Sequence, residues 1–226
     1  MIFECDEFNN LRIDEFSKKL FHVKHYTLLL SLKRILEYII FSCKFQLSML
    51  DSRGNKIVWN SLNEKRGNKP YYPPIGCIGI GLRVIDKYDE DNKLIGKNNL
   101  IGEWCIAYHE IGLPSDKINE SLRNIIKGGL KEGKFQIHSE CEDIYHSGKK
   151  VGNGVYFTCS INTAEKHATI TVINGKKCKI ALMVRVKPDA IRHCSCTSDY
   201  WVVNGDSNEI RFYRILYKEI DNNIKK

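Results

Sequence analysis

T-I-T-V-I-N-G-K-K-C-K-I-A-L-M-V-R-V-K, at positions 169–187, is the stretch that predicts the fold most directly. Its second arm alternates along the chain, with apolar side chains at Ile180, Leu182, Val184 and Val186. Alternation with a period of two is typical of a β-strand. The dipeptide Asn174-Gly175 separates the two arms and is the strongest short signal for a hairpin turn. This region therefore predicts an antiparallel pair of strands.

Shorter apolar runs on both sides of the hairpin predict further strands. They lie at 78–85, 104–109, 154–159, 200–203 and 210–218. A helix is predicted from Ser115, which can cap its first turn, to Gly128-Gly129, which can form a left-handed cap. A second, short helix is predicted at 162–168. Because strands outnumber helices and at least one pair is antiparallel, we predict an α+β fold.

The N-terminal third of the chain has a different character. Apolar residues at 27–43 recur at helical spacing and predict a packing helix. A polar stretch at 51–69 follows and ends in P-Y-Y-P-P at 70–74. Proline lacks a backbone N–H and breaks regular structure. We therefore predict an N-terminal helical extension and linker at 1–70 and a domain at 71–226.

Length, charge and cysteine content narrow the class of protein. The 226 residues fit one domain with an extension, and the net charge of +8 favours acidic partners such as nucleotides or nucleic acid. The nine cysteines form no C-x-x-C pair, which argues against a disulfide framework and favours a reducing compartment. The N-terminus does not look like a secretory signal, and no window is apolar enough to span a membrane. We therefore expect an intracellular protein, cytoplasmic or nuclear, with no membrane association.

The motifs of several common enzyme classes are missing from the sequence. It contains neither nucleotide-binding glycine loop, G-x-G-x-x-G or G-x-x-x-x-G-K-[ST], and no G-x-S-x-G. Two groups of cysteines and histidines contain good zinc ligands: His138, Cys141 and His146, and His193, Cys194 and Cys196. Neither group has the paired spacing of a zinc finger, so we predict no bound metal.

A third set of residues indicates a class of protein more specifically than the zinc ligands do. His109 ends the strand W-C-I-A-Y-H, and Tyr156 lies within G-V-Y-F-T. The helix A-E-K-H-A begins at Ala164, eight residues after Tyr156, and D-Y-W-V-V begins at Asp199. This order of motifs resembles the H-Y-E signature of the catalytic domain of poly(ADP-ribose) polymerase-like (PARP-like) ADP-ribosyltransferases. The resemblance covers about 71–220 and is greatest to the small, stand-alone PARP-like domains of fungi and protists.

The resemblance implies a split, strongly bent β-sheet whose cleft binds NAD as substrate. His109 would donate to a hydroxyl of the nicotinamide ribose, Tyr156 would stack on the nicotinamide ring, and the backbone of Glu110 would pair with the carboxamide. Ala164 and His167 occupy the positions of the family's serine and second tyrosine. Asp199 would be the acid that binds the ribose 2′-hydroxyl and stabilises charge at the anomeric carbon, with Glu209 as the alternative.

The implied activity is NAD-dependent mono-ADP-ribosylation of a protein, with release of nicotinamide. Transfer of a single unit is expected because aspartate at position 199 is one methylene shorter than the family's glutamate. Transfer to nucleic acid is a further possibility that the net charge suggests. The alternative function is a catalytically inactive domain of the same fold that binds NAD or a partner protein. The altered acid and Ala164 favour this alternative.

Overall fold

The computed structural model describes the chain at 56–57, 64–84, 93–112, 117–133, 136, 138–173, 175–197, 200–205 and 208–220. The predicted helix at 27–43, most of the predicted extension at 1–70, and Asp199 lie outside these residues. None of the helices within them is both long enough and apolar enough to cross a bilayer.

The described part of the chain consists mainly of strands. The strands are β1 (Lys56–Ile57), β2 (Glu64–Arg66), β3 (Lys69–Tyr71), β4 (Ile78–Gly81), β5 (Cys105–Glu110), β6 (Val155–Phe157), β7 (Thr171–Ile173), β8 (Lys176–Val186), β9 (Arg192–His193), β10 (Trp201–Val203) and β11 (Ile210–Glu219). The α-helices are α1 (Ile118–Gly128) and α2 (Ile161–His167), and short 3-10 helices lie at Lys93–Ile95 and Pro188–Ala190. The predicted α+β class is confirmed.

A six-stranded antiparallel sheet forms the centre of the molecule. Its order is β1-β4-β11-β8-β5, and β7 also pairs with β8. The predicted hairpin is confirmed, because Ile173 of β7 pairs with Lys176 of β8 in antiparallel register. β8 also pairs with β11 from Cys178 to Val186, with a bulge in β11 between Phe212 and Arg214. The hairpin is thus the framework on which the sheet is built.

A second, three-stranded sheet has the order β6-β10-β9. It meets the large sheet where β5 runs beside the residue that follows β6. Here the backbone N–H of Tyr108 donates to the carbonyl of Thr158 at 2.8 Å, and the N–H of Thr158 donates back at 3.1 Å. The end of β5 and the small sheet therefore lie side by side at this bridge.

Both faces of the large sheet are covered. On one face Ile180, Leu182 and Val184 of β8 belong to a cluster that includes Leu122 of α1 and residues of the small sheet. On the other face Ala181 and Met183 belong to a cluster with residues of α2. Burial on both sides explains why the intervening Ala181 and Met183 are also apolar.

One ion pair is buried in this framework. The side chains of Glu103 and Arg185 are only 1% and 4% exposed, and Arg185 Nη1 lies 3.2 Å from Glu103 Oε1. Arg185 also donates to the carbonyls of Trp104 and Gly96, each at 2.7 Å. The Arg66 guanidinium approaches the same Glu103 oxygen, with Nε at 3.4 Å. The Glu103 carboxylate therefore neutralises the positive charge of the Arg185 guanidinium, which the fold shields from water.

Candidate functional site

A cavity of about 380 Å³ lies beside the point where the two sheets meet. Its size falls within the usual range for small-molecule sites, about 300–1,000 Å³. Its walls include His109 and Glu110 of β5, Tyr156 of β6, His167 of α2, and His138 and Tyr200 from loops. Imidazole, phenol and carboxylate groups thus line one space.

His109 is fixed by the strand that faces it. Its Nδ1 lies 2.9 Å from the backbone carbonyl oxygen of Tyr156. A carbonyl can only accept, so Nδ1 carries the proton and a neutral ring presents Nε2 as an acceptor. With this tautomer Nε2 would accept a hydrogen bond from a ligand hydroxyl, the reverse of the donor role that the resemblance implies.

Four rings form an aromatic group on the cavity wall: Tyr156, Tyr200, His138 and His167. The ring of Tyr200 lies 6.3 Å from that of Tyr156 and 5.5 Å from that of His138. The Tyr200 hydroxyl is also 2.5 Å from His167 Nε2. Tyr200 therefore links the small sheet to the end of α2 and offers a second ring beside Tyr156.

The hydroxyl end of Tyr156 is buried. Its Oη makes no hydrogen bond of ordinary geometry. Burial raises the pKa of this phenol, and the backbone of His138 partly opposes the rise. Tyr156 therefore keeps its proton at neutral pH and acts in the cavity as a ring with an uncharged polar end.

Gly154 and Gln136 set the position of β6. The Gln136 side chain pairs with the backbone of Gly154 through two hydrogen bonds of 2.8 Å, one as donor and one as acceptor. A Cβ atom at position 154 would lie 2.6 Å from both Val202 Cγ1 and the carbonyl oxygen of Val203. Only glycine fits there, which is a physical reason for the first residue of the G-V-Y-F motif.

Gly154→Ala is therefore expected to lower the free energy of unfolding by about 1–3 kcal/mol, because the added methyl group overpacks the contact with β10. It should also displace Tyr156. Thermal unfolding measures the loss. Gly128→Ala is the matched control, since a Cβ there meets nothing within 4 Å. If both variants unfold like the wild type, the close approach of the strands does not constrain position 154.

The structure brings four of the predicted site residues to one cavity: His109, Glu110, Tyr156 and His167. Ala164 lies elsewhere, fully buried in the cluster that contains Tyr108 and Met183. Asp199 lies outside the described residues, although its neighbour Tyr200 lines the cavity. Glu209 precedes β11, where its backbone carbonyl accepts from the N–H of Lys187.

The cavity wall also contains residues that were not predicted, among them Tyr200, His138, Gln136 and Lys131. A signal for Tyr200 was present, because it belongs to the same D-Y-W-V-V segment as Asp199. His138 was considered only as a metal ligand. No local pattern pointed to Gln136, whose role depends on its pairing with Gly154.

The structure also joins the two groups of cysteines and histidines. Ligand atoms of His138, Cys141, Cys194 and Cys196 all lie within 4.8 Å of one another, and Cys141 and Cys196 form a disulfide. His146 and His193 have other partners, since His146 pairs with Asp143 at 2.7 Å and His193 Nε2 lies 3.1 Å from Lys69 Nζ. Each of the two groups of possible zinc ligands found in the sequence thus contributes two residues to one cluster.

No protein-family model matches the chain, and no curated protein matches it significantly. The fold and the cavity define an α+β protein with a cavity of small-molecule size beside the junction of two antiparallel sheets.

Proposed function

We propose that the protein is an NAD-dependent ADP-ribosyltransferase that transfers one ADP-ribose unit to an acceptor protein and releases nicotinamide. The observation that carries this proposal is the pairing of His109 with Tyr156. The two motif residues lie 47 positions apart, are joined by the 2.9 Å hydrogen bond, and line the same cavity. A histidine and a tyrosine on adjacent strands of one cleft are what the resemblance requires.

The architecture supports the same proposal. A split and bent sheet with a cleft at the split is the fold that the resemblance implies. The Tyr108–Thr158 bridge joins a six-stranded and a three-stranded antiparallel sheet, and the cavity lies beside this bridge. His109 directly follows Tyr108, and Tyr156 is two residues before Thr158. The junction therefore supplies both motif residues.

The cavity residues fit NAD in chemical type. Tyr156 and Tyr200 are partly exposed rings on which a nicotinamide ring can stack. The His109 Nε2 acceptor suits a ribose hydroxyl. Lys131 lines the same cavity and supplies a positive charge for the pyrophosphate.

In the proposed reaction the bond between the ribose anomeric carbon and the nicotinamide nitrogen breaks, and a nucleophile of the acceptor forms a bond to that carbon. Nicotinamide leaves with the electron pair of the broken bond. The transition state resembles an oxocarbenium ion, so a fixed carboxylate stabilises it. Asp199 is the proposed acid, because it adjoins Tyr200. Glu110 is a second carboxylate that the described cavity wall contains.

The alternative function is an inactive domain that binds NAD or a partner protein. It is favoured by Ala164, whose methyl group is fully buried in the core below α2. The family's serine at this position would bond the carboxamide, and alanine has no polar side-chain atom with which to do so. An enzyme of this kind would then hold nicotinamide through the backbone at position 110 and the aromatic group.

The test is incubation of the full chain with NAD labelled in the adenylate part, with and without lysate proteins. We expect a discrete labelled band and free nicotinamide. Tyr156→Ala should abolish the label, while Tyr72→Ala should keep it, since Tyr72 is an exposed tyrosine outside the cavity wall. Nuclease treatment should leave the label intact if the acceptor is protein.

The other outcomes are distinct. NAD binding by calorimetry without any label would assign the protein to the inactive alternative. A folded protein that binds no NAD would overturn both the transferase and the NAD-binding domain, and would leave only the domain that binds a partner protein. A high-molecular-weight smear would contradict single-unit transfer, and a label removed by nuclease would identify nucleic acid as the acceptor.

A further inference from the structure

Two loops that are distant in sequence bring together four side chains that are good zinc ligands. His138 and Cys141 lie in the turns before β6, and Cys194 and Cys196 follow β9. Their ligand atoms lie within 4.8 Å of one another, and His138 Nδ1 is 4.0 Å from Cys141 Sγ. Ligand atoms around a tetrahedral zinc ion are about 3.5–3.8 Å apart, given bonds of about 2.0–2.3 Å. Reduction of the Cys141–Cys196 disulfide would let these two sulfurs move apart. A small contraction of the other pairs would then enclose an ion.

We propose that His138, Cys141, Cys194 and Cys196 bind one structural Zn²⁺ in the reduced chain. Three thiolates and one imidazole form the Cys₃His set of closed structural zinc sites. Binding converts three thiols to thiolates, so three protons leave as the ion enters. This proposal opposes the sequence-based prediction of no metal, which considered the two halves of the cluster separately.

The Cys141–Cys196 disulfide and the metal-bound form are alternative states of the same residues. The thiolate is the zinc ligand, and a disulfide removes two thiolates at once. A dithiol reductant converts one state to the other by exchange. It donates two electrons and two protons, leaves as its own disulfide, and restores two thiols to the chain. In a reducing solution the cluster is then free to take the ion.

A metal ion at this place would stabilise the loop before β6. The loop between His138 and β6 folds on itself through a bridge of Glu142 with Lys150, and a bridge of Asp143 with Cys194 attaches it to the segment after β9. The small apolar cluster beneath it contains Val151, Cys194 and Val202. So few apolar side chains give little burial energy, and small cores commonly need a metal or a disulfide.

The same ion would fix part of the cavity wall. The His138 ring lies 6.2 Å from the ring of Tyr156 and 5.5 Å from that of Tyr200. Coordination through Nδ1 would hold this ring beside the aromatic group. The metal site itself does not depend on the proposed transferase activity, because its ligands and its test are independent of NAD.

Other cysteines provide matched comparisons. Burial raises the pKa of Cys77, Cys105 and Cys178 to about 12 in each case. Cys105 Sγ donates to the Gly67 carbonyl at 3.3 Å, and Cys178 Sγ donates to the Thr171 carbonyl at 3.5 Å. These three remain protonated thiols and lie outside the cluster, so they are not expected to bind zinc.

The test is elemental analysis of the full chain purified with a thiol reductant, followed by replacement of the zinc with Co²⁺. We expect one zinc per chain and the intense absorption of tetrahedral Co²⁺ bound to thiolates. Cys196→Ser and Cys194→Ala should each lose most of the metal. His146→Ala and Cys77→Ala should keep it. Cys196 is exposed, so its replacement leaves the core intact even if Cys194→Ala fails to fold.

Cys194→Ala separates a metal site from a simple disulfide, because Cys194 takes no part in the disulfide. Full zinc content in a folded Cys194→Ala or Cys196→Ser variant would overturn the proposal. So would a folded, reduced wild-type chain that takes up neither zinc nor cobalt. The NAD assays above play no part in this decision, so the two proposals fail separately.

Discussion

Glu103→Ala is expected to lower the free energy of unfolding by about 3–5 kcal/mol, because it leaves the buried Arg185 guanidinium without its counter-charge. The Arg185 side chain is 4% exposed, so water cannot replace the lost carboxylate. Arg66 would also lose its carboxylate contact at 3.4 Å. For a chain of this size the loss corresponds to a fall of roughly 6–20 °C in Tm. Thermal and urea unfolding measure it.

Glu140→Ala is the matched control for this prediction. Glu140 also pairs with a cation, Lys150, but the two side chains are 78% and 62% exposed. An ion pair in water contributes about 0–1 kcal/mol, so this variant should unfold close to the wild type. Equal and small effects of the two substitutions would show that the buried pair is not needed for stability.

The fold could be predicted largely because its signals are local. The Asn174-Gly175 turn and the alternation in β8 depend on neighbouring residues, and the pair β7–β8 appears where they indicate it. The bounds were less accurate, since the strand predicted at 78–85 is Ile78–Gly81. Periodicity marks the apolar positions of a strand but not where its hydrogen-bonded partner ends.

Contacts between distant segments could not be predicted in this way. Glu103 and Arg185 are 82 positions apart, and no local pattern pairs them. Cys141 and Cys196 are separated by 55 positions, so each half of the cluster was judged alone and lacked the spacing of a zinc site. Three-dimensional proximity, rather than residue type, was the missing information.

In the candidate site, some residues could be predicted from the sequence and others could not. The order of motifs led to His109 and Tyr156, which the structure joins by a hydrogen bond. Tyr200 was missed, because its role depends on the pairing of β10 with β6, which sets Val202 opposite Tyr156 and holds the start of β10 beside the cavity. A motif can identify individual site residues such as His109 and Tyr156 from the sequence. The positions of the other cavity-wall residues are set by strand pairing, which the sequence does not show.

His109→Ala is expected to lower the rate of ADP-ribose transfer about a hundredfold, if the proposed function holds. The alanine removes the Nε2 acceptor for the ribose and the Nδ1 hydrogen bond that fixes the Tyr156 backbone. A displacement of about 1 Å at a reacting centre costs on the order of a hundredfold in rate. Steady-state release of nicotinamide measures the loss, and His146→Ala is the control histidine outside the cavity wall.

His109→Asn separates the two roles of the histidine. The asparagine amide can still donate to the Tyr156 carbonyl, but it has no group at the place of Nε2. We expect this variant to unfold at nearly the wild-type Tm and to remain about as slow as His109→Ala, since the ribose contact is lost in both. Recovery of the wild-type rate in His109→Asn would show that His109 only holds β6 in place, and that the ribose is bound by another residue.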